Sequence, residues 1–270
     1  MQIDDILGNG DTSLGQLLDA IAEMNDQDSL RDFFARLHAL FTRTCSTASI
    51  AAFEFGKDLQ PHLIFVDGPN GGDDLPQYLG GLYLLDPFYL MYTEEEKTGV
   101  FVMSQTDSET FGVAKKYKAY WSRITGDSEI AALFPAGPGK CLHVTIMVRN
   151  DQQLAQRTVL LVRLLEKTIV SFFRRKLERG EASNVDDTMR RHVHLTVNRT
   201  LQSFGADVLT DRERDVVQLL LKGHSAKSIA QLLDISAGTA GIHRSNIYRK
   251  LEITGQGELF LKYLNLLSQE

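Results

Sequence analysis

Over residues 12–24 the apolar positions Leu14, Leu17, Leu18 and Ile21 recur at helical spacing. After Asp26-Gln-Asp28 the same period returns in Leu30, Phe33, Phe34, Leu37, Leu40 and Phe41. Two helices are predicted there, both covering one side of a sheet. The period then changes: residues 49–55, ended by Gly56-Lys-Asp58, and residues 62–66, ended by Asp67-Gly-Pro69, read as neighbouring strands of a hairpin. Residues 74–96 form the most aromatic stretch, with Tyr78, Tyr83, Phe88, Tyr89 and Tyr92, and Asp86-Pro87 in its middle restarts or kinks a helix. Residues 99–103 predict another strand, and 108–121 a helix carrying Phe111, Tyr117, Tyr120 and Trp121 with Lys115, Lys116 and Lys118 outward. Residues 130–134 and 141–148, joined by the Pro135-to-Gly139 turn, close the set as a hairpin. About five strands with helices before, between and after them predict an antiparallel-sheet α/β domain.

Residues 151–179 read as one long helix with Leu154, Leu161, Leu165 and Phe172 near heptad spacing and Val162, Ile169 and Phe173 beside them. A stripe that wide can cover its own sheet and still meet a second copy. Its end turns basic at Arg174, Arg175, Lys176 and Arg179, which reads as a solvated helix end favoured by the helix dipole or, alternatively, as phosphate contact from the linker. Residues 180–184 are the best linker candidate. The piece to Phe204 predicts a connecting helix in which Arg190, Arg191 and His192 have no assigned purpose.

Three short amphipathic runs follow, separated by turn signals, the pattern of a helix-turn-helix. Thr210-Asp-Arg-Glu213 is S/T-x-x-E before an apolar run, a capping box that starts a helix with Val216, Val217, Leu219, Leu220 and Leu221, and Gly223 stops it. Ser225 caps a second helix holding Ile229, Ala230, Leu232 and Leu233, and Asp234-Ile-Ser236 turns into a third. On that third helix Ala240, Ile247 and Leu251 share one face, while Ile242, Ser245 and Arg249 fall opposite and should look outward. An apolar tip between small polar and basic side chains suits a major groove with a thymine methyl. Lys227, Thr239, His243 and Lys250 flank the face within reach of phosphates. Arg244 falls near the core side, where an internal ion pair, with Glu213 as the expected partner, is favoured over a base contact.

The residues Leu209-Thr-x-Arg-Glu213, Gly223-x-Ser225, Ile229-Ala230, Leu232, Ile235-Ser236-x-x-Thr239-x-x-x-His243 and Ile247-x-x-Lys250-Leu251 resemble the LuxR-type (LuxR, FixJ and NarL superfamily) DNA-binding domain over about the last quarter of the chain. The resemblance implies that the third helix enters the major groove and that a fourth, residues 257–267 with Leu259, Phe260, Tyr263 and Leu264 as its stripe, supports dimer contacts. Where that family usually has Val-Lys after the helix-three Thr, this chain has Ala240-Gly241, so a common basic contact is absent.

The 270 residues are 43% hydrophobic and 24% charged, enough for two globular domains. With no apolar run of membrane-spanning length and no secretory leader, the cytoplasm is the expected location and no membrane partner is expected. Residues 1–156 carry 11 Lys and Arg against 22 Asp and Glu, a surface that phosphate would repel. From Gly205 to Glu270 eight bases match eight acids, yet no acid occurs from Ser236 to Leu251, so attraction to DNA is local to the third helix. Cys45 and Cys141 are too few and isolated for a metal cluster or disulfide framework, and are expected as reduced, packed thiols; a redox-sensing cysteine is the sharper alternative. No phosphate loop, nucleophile elbow or metal-ligand cluster appears, and the seven His are scattered, so no catalytic residue, metal or cofactor is expected. His143, inside a strand, reads as a packed residue.

The resulting picture is α+β. A ligand-sensing and dimerisation domain of GAF or PAS type spans residues 1–179, a linker and connecting helix 180–204, and a four-helix DNA-binding domain 205–270. Tyr78, Tyr83, Asp86, Tyr89, Tyr120 and Trp121 are the candidate lining of a small-molecule pocket; the alternative is that these aromatics only fill a core. A buried carboxylate among rings and hydroxyls would favour a cationic or hydrogen-bonding effector. The run from Tyr78 to Asp86-Pro87 is similar to the Tyr and Asp-Pro positions of autoinducer-binding LuxR sensors. It lacks the Trp expected just before it, so an acyl-homoserine lactone is not predicted. The expected partners are double-stranded DNA, a small-molecule effector and a second copy of the chain. Two alternatives stand beside this reading. A phosphorylation-switched response regulator would use Asp4, Asp5 and Asp67, against the order of elements. A protein-interaction regulator would carry a weakened DNA module, given Gly241.

Overall fold

A computed structural model of the chain describes residues 13–68, 75–103, 128–149, 151–180 and 187–267. The two amphipathic runs form α1 (Leu14–Asn25) and α2 (Leu30–Cys45), each started by a serine whose hydroxyl accepts from the backbone three residues on. On α1 the buried positions are Leu17 and Met24, while Leu14 and Leu18 are exposed. The pattern marks the helix but centres its stripe about 40° away, because Leu17, Ile21 and Met24 share a face while Leu14 and Leu18 fall at and beyond its edge.

Five antiparallel strands follow: β1 (Thr47–Gly56), β2 (His62–Asp67), β3 (Gly99–Met103), β4 (Ser128–Gly137) and β5 (Lys140–Val148), in the order β2-β1-β5-β4-β3. The β4–β5 hairpin is tighter than its prolines suggested: Pro135 stays in the strand, opposite Cys141, and a register shift between Pro135 and Gly137 absorbs its missing donor. Between β2 and β3 run the short helix α3 (Leu75–Leu79), a 3-10 turn (Leu82–Leu85) and α4 (Pro87–Thr93). Pro87 restarts the helix at its first position, and Asp86 caps it through Phe88 N at 2.8 Å. The helix expected over residues 108–121, with Tyr120 and Trp121, lies outside the described residues.

The two faces of the sheet differ in chemistry. On one, Ile50, Ala52, Ile130, Ala132, Phe134, Leu142, Val144 and Ile146 pack under α1, α2 and the long α5 (Gln152–Glu178). Phe33 of α2 and Phe172 of α5 stack there at 4.2 Å. Leu161, Val162, Leu165, Ile169, Phe172 and Phe173 are all spent on this layer, so the broad stripe of α5 covers its own sheet. Its basic end is engaged too: Arg174 donates to Pro135 O at 2.8 Å, Lys176 donates to Asp28 O, and Arg175 lies over the Phe172 ring.

On the other face Phe53, Phe55, Leu133 and Cys141 pack under Tyr78, Leu82, Tyr83, Phe88 and Tyr89, and this core continues through Val197 and Leu201 of α6 (Asp187–Ser203), and Phe204 just beyond it, into the C-terminal helices. These are α7 (Asp211–Leu221), α8 (Ala226–Leu232), α9 (Ala237–Lys250) and α10 (Gln256–Leu267). Contact between the halves is close at Gly81, where a Cβ would meet Val197 Cγ1 of α6 at 2.7 Å and Leu267 Cδ1 of α10 at 3.0 Å. Lys222, at the end of α7, pairs with Glu94, at the end of α4, at 2.6 Å.

The start of α6 is held by a buried ion pair. Arg190 is 1% exposed and Glu54 of β1 is 0% exposed. Arg190 Nη1 meets Glu54 Oε1 at 2.6 Å, Nη2 donates to Glu54 O at 3.1 Å, and Nε donates to Gln60 O at 2.9 Å. Lys140 and Asp187 complete the group, Lys140 Nζ lying 3.1 Å from Glu54 and 3.2 Å from Asp187. Removing one member of such a pair leaves a charge buried without its counterpart, which is more costly than replacing both. Glu54→Ala is expected to lower the urea-unfolding free energy by about 3 kcal/mol, and Glu54→Leu combined with Arg190→Met to recover most of it. A single-variant loss under about 0.5 kcal/mol would show that α6 is held by something else.

Candidate nucleic-acid interface and sensor core

The helix-turn-helix assembles as its caps dictate. Thr210 and Glu213 form the reciprocal capping box at the start of α7, and Ser225 and Ser236 accept from Ser228 N and Thr239 N at the starts of α8 and α9. Each helix ends on a left-handed residue, Gly223, Asp234 and Glu252, and the next backbone N–H returns to the helix: His224 to Leu219 O, Ile235 to Ala230 O, Ile253 to Tyr248 O. Val216, Val217, Leu220, Ile229, Ala230, Ala240 and Ile247 are buried between the helices. Leu232 is exposed instead, because Ile229, Ala230 and Leu233 carry the inward face of α8.

On α9 the outward face holds Ile242, 64% exposed, with Ser245 and Arg249 exposed beside it. Ser245 Oγ turns back to Gly241 O at 3.1 Å. Lys227 is exposed at the start of α8, while Thr239 and His243 are half-buried, Thr239 Oγ1 lying 2.8 Å from Ser236 Oγ. Lys250 differs from the rest: its ammonium lies 2.7 Å from Glu213 Oε2. That corrects the ion pair expected for Arg244, which is exposed. Burial raises the Glu213 pKa, but the hydrogen bond from Lys250 and those from the Thr210 backbone and hydroxyl outweigh it and hold the carboxyl below its ordinary range. The capping glutamate thus ties the first and third helices of the module together.

In the N-terminal half, Tyr78, Tyr83, Asp86 and Tyr89 come together, all buried. Tyr78 donates to Asp86 Oδ2 at 2.7 Å, and Tyr89 donates to Leu59 O at 3.0 Å. The Tyr83 hydroxyl lies 3.1 Å from Nδ1 of His194 on α6. Burial pushes the phenols of Tyr83 and Tyr89 well up, so both stay protonated. The four residues therefore form a hydrogen-bonded layer rather than isolated rings. His194 was missed by sequence reasoning, as was Arg190. The signal was the spacing Arg190, His194, Val197, Leu201, which is one buried face of α6.

His143 lies on this side of the sheet, stacked on Phe55 at 4.7 Å and flanked by Phe53 and Phe88. Its Nδ1 is buried without a hydrogen-bond partner among the described residues. The two thiols are packed as expected: burial pushes Cys45 up to about 11 and Cys141 up to about 12. Two grooves accompany these features. One of about 260 Å³ lies between the halves, among Lys57, Tyr89, Glu94, His194 and Lys222, and a wider one of about 590 Å³ runs along α5 beside Pro135. No helix among the described residues is long and apolar enough to cross a membrane.

Residues 207–262 match the model of the luxR family of bacterial regulatory proteins. The chain is 28% identical over 188 residues to a putative HTH-type transcriptional regulator from the exeN 3′ region of Aeromonas salmonicida, covering 67% of this chain and 94% of that protein. It is 50% identical over 50 residues to the transcriptional regulatory protein MctR of Rhizobium johnstonii, covering 18% of this chain and 23% of MctR. Among solved structures, SdiA in complex with octanoyl-rac-glycerol aligns over 96% of this chain and 97% of its own with a TM-score of 0.46 at 12% identity. The VqsR LBD domain of Pseudomonas aeruginosa aligns over 61% of this chain and 93% of its own with a TM-score of 0.44 at 20% identity.

Burial lowers the His143 pKa from 6.5 to about 3, against a backbone hydrogen bond with Ala132 that raises it. An unfolded chain takes up that proton near pH 6.5 while the folded one refuses it until about 3, so stability is lost as pH falls through this window. His143→Phe is expected to reduce the drop in melting temperature between pH 7 and pH 5. An unchanged pH dependence would show that His143 is protonated in the fold.

Proposed function

We propose that this transcription regulator, whose residues 207–262 form a luxR-family helix-turn-helix module, binds double-stranded DNA as a homodimer under the control of a small molecule sensed by residues 1–179. Residues 180–204 connect the two activities and 205–270 read the DNA, in the cytoplasm. The observation that carries the reading is Ile242, a large apolar side chain presented to solvent at the centre of a helix face with no acid from Ser236 to Leu251. Isolated in water it gains nothing; against a thymine methyl in the major groove it gains burial, with Ser245 and Arg249 beside it for base edges. Lys227, Thr239 and His243 meet phosphates on the flanks. Lys250 contributes by holding α9 to Glu213.

The sensor proposal rests on the layer of Tyr78, Tyr83, Asp86 and Tyr89 and on its direct bond to α6. An effector that takes a hydrogen bond from Tyr83 or Tyr89 competes with His194. It thereby changes how α6, and the reader beyond it, is held against the sheet. A ligand shifts that equilibrium only by its differential affinity for the two arrangements. Each half-site is read by one copy, and the spacing of two recognition helices sets which operators fit.

Ile242→Asp is expected to lower affinity for a duplex selected from random sequence by at least about a hundredfold, through the lost methyl contact and a new anion facing phosphate, with the melting temperature unchanged. Parent-like binding in a gel-shift titration would show that this face does not read DNA. For the sensor, native mass spectrometry of the protein from a bacterial host is expected to retain a small molecule that the Tyr78→Phe, Tyr83→Phe double variant releases. A parent and variant of identical, ligand-free mass, neither stabilised by a metabolite extract, would contradict sensing.

A further inference from the structure

Two features of α9 stand outside that reading and adjoin each other. At Gly241 an added Cβ would meet nothing within 4 Å among the described residues, so the helix surface there is open. One turn further on, Arg244 is exposed and makes no hydrogen bond or ion pair among the described residues. Its neighbours on α9 include no acid, and the basic residues of the module that do have carboxylate partners, Arg212, Arg214, Lys222 and Lys250, find them outside α9. At 3.6 residues per turn Gly241 lies about 60° around the helix from Arg244, on the side of Ser245 and Ile242. Side chains three apart on a helix are about 5–6 Å from each other, within the length of an arginine.

We propose that Arg244 determines DNA sequence preference by reaching across the surface left open at Gly241, where its guanidinium makes a bidentate contact with guanine O6 and N7 in each half-site. The inference rests on the proposed DNA-reading role of α9. A glycine in a helix interior is less favourable than alanine, so a residue there with none of the described residues packed against it has a use other than stability. An arginine fork matches the two acceptors of guanine, whereas the neighbouring serine and isoleucine supply no such pair. Any long side chain at position 241 would occupy the path. Glycine and arginine three residues apart therefore act as a unit, one providing the space and the other the contact.

The test is selection of duplexes from a random library by the full-length parent, by Arg244→Ala and by Gly241→Leu, followed by titration at graded salt. The parent is expected to select a guanine at one fixed position of each half-site. Arg244→Ala is expected to lose that preference alone, with affinity for the parent's sequence down about ten- to a hundredfold. Gly241→Leu, which keeps the arginine but closes its path, is expected to lose the same preference. An Arg244→Ala variant that keeps the guanine and binds all sequences more weakly with a flatter salt dependence would make Arg244 a phosphate contact and overturn the proposal. So would loss of the guanine in Arg244→Ala but not in Gly241→Leu, which would leave the open surface without a role. A parent that selects no sequence would overturn the DNA-reading role itself, and this proposal with it.

Discussion

The ion pair between Glu54 and Arg190 is the constraint on which the arrangement of the two halves depends. Both groups are taken out of water, a cost offset by their attraction and by the further hydrogen bonds of Arg190, while Glu54 Oε2 has no hydrogen-bond partner among the described residues. Arg190 spends its fork on the Glu54 carboxylate, on Asp187 and on the carbonyls of Glu54 and Gln60. Such a set of contacts fixes one register of α6 against the sheet, and a lysine, with its single point charge, would not replace it. Once α6 is placed, the positions of Val197, Leu201 and Phe204 follow, and these carry the hydrophobic core into the C-terminal helices.

The two faces of the sheet divide the labour. The face under α1, α2 and α5 is apolar apart from its rim and resembles an ordinary packed layer. The opposite face holds His143 and the bonded Tyr78, Tyr83, Asp86 and Tyr89 between the sheet and α3 to α4, with His194 of α6 reaching into it. The hydroxyls of Tyr78, Tyr83 and Tyr89 and the Asp86 carboxylate each have a partner, so a change in one bond is felt by the next, whereas His143 keeps its Nδ1 without a hydrogen-bond partner among the described residues. That is the physical reason to look there for the proposed effector, and in α6 for its output.

Sequence periodicity located the strands and helices because each has one apolar face, and it located the reader because caps and turns leave fixed residue types at fixed spacings. It misjudged details that depend on what lies opposite. The stripe of α1 excludes Leu14 and Leu18, and Leu232 is exposed, since which leucines are buried depends on the neighbouring layer. Pro135 stayed in its strand because a register shift accommodated it. Ion-pair partners were the least legible: Glu213 took Lys250 rather than Arg244, and Arg190 found an acid 136 residues away in sequence. Charge pairs carry no period, so they become readable only after the helices are docked.

The proposed role of α9 is to enter DNA by the face of Ile242, Ser245 and Arg249. Cys45 and Cys141 are buried, with thiols pushed far above neutrality, so a cysteine introduced at Ser245 is the one that labels at pH 7. A photoreactive group attached to Ser245→Cys, irradiated with a selected duplex, should form adducts with bases of the half-site. The same group on Lys262→Cys, exposed on α10, should form none with bases. Base adducts from residue 262 and none from 245 would contradict the account.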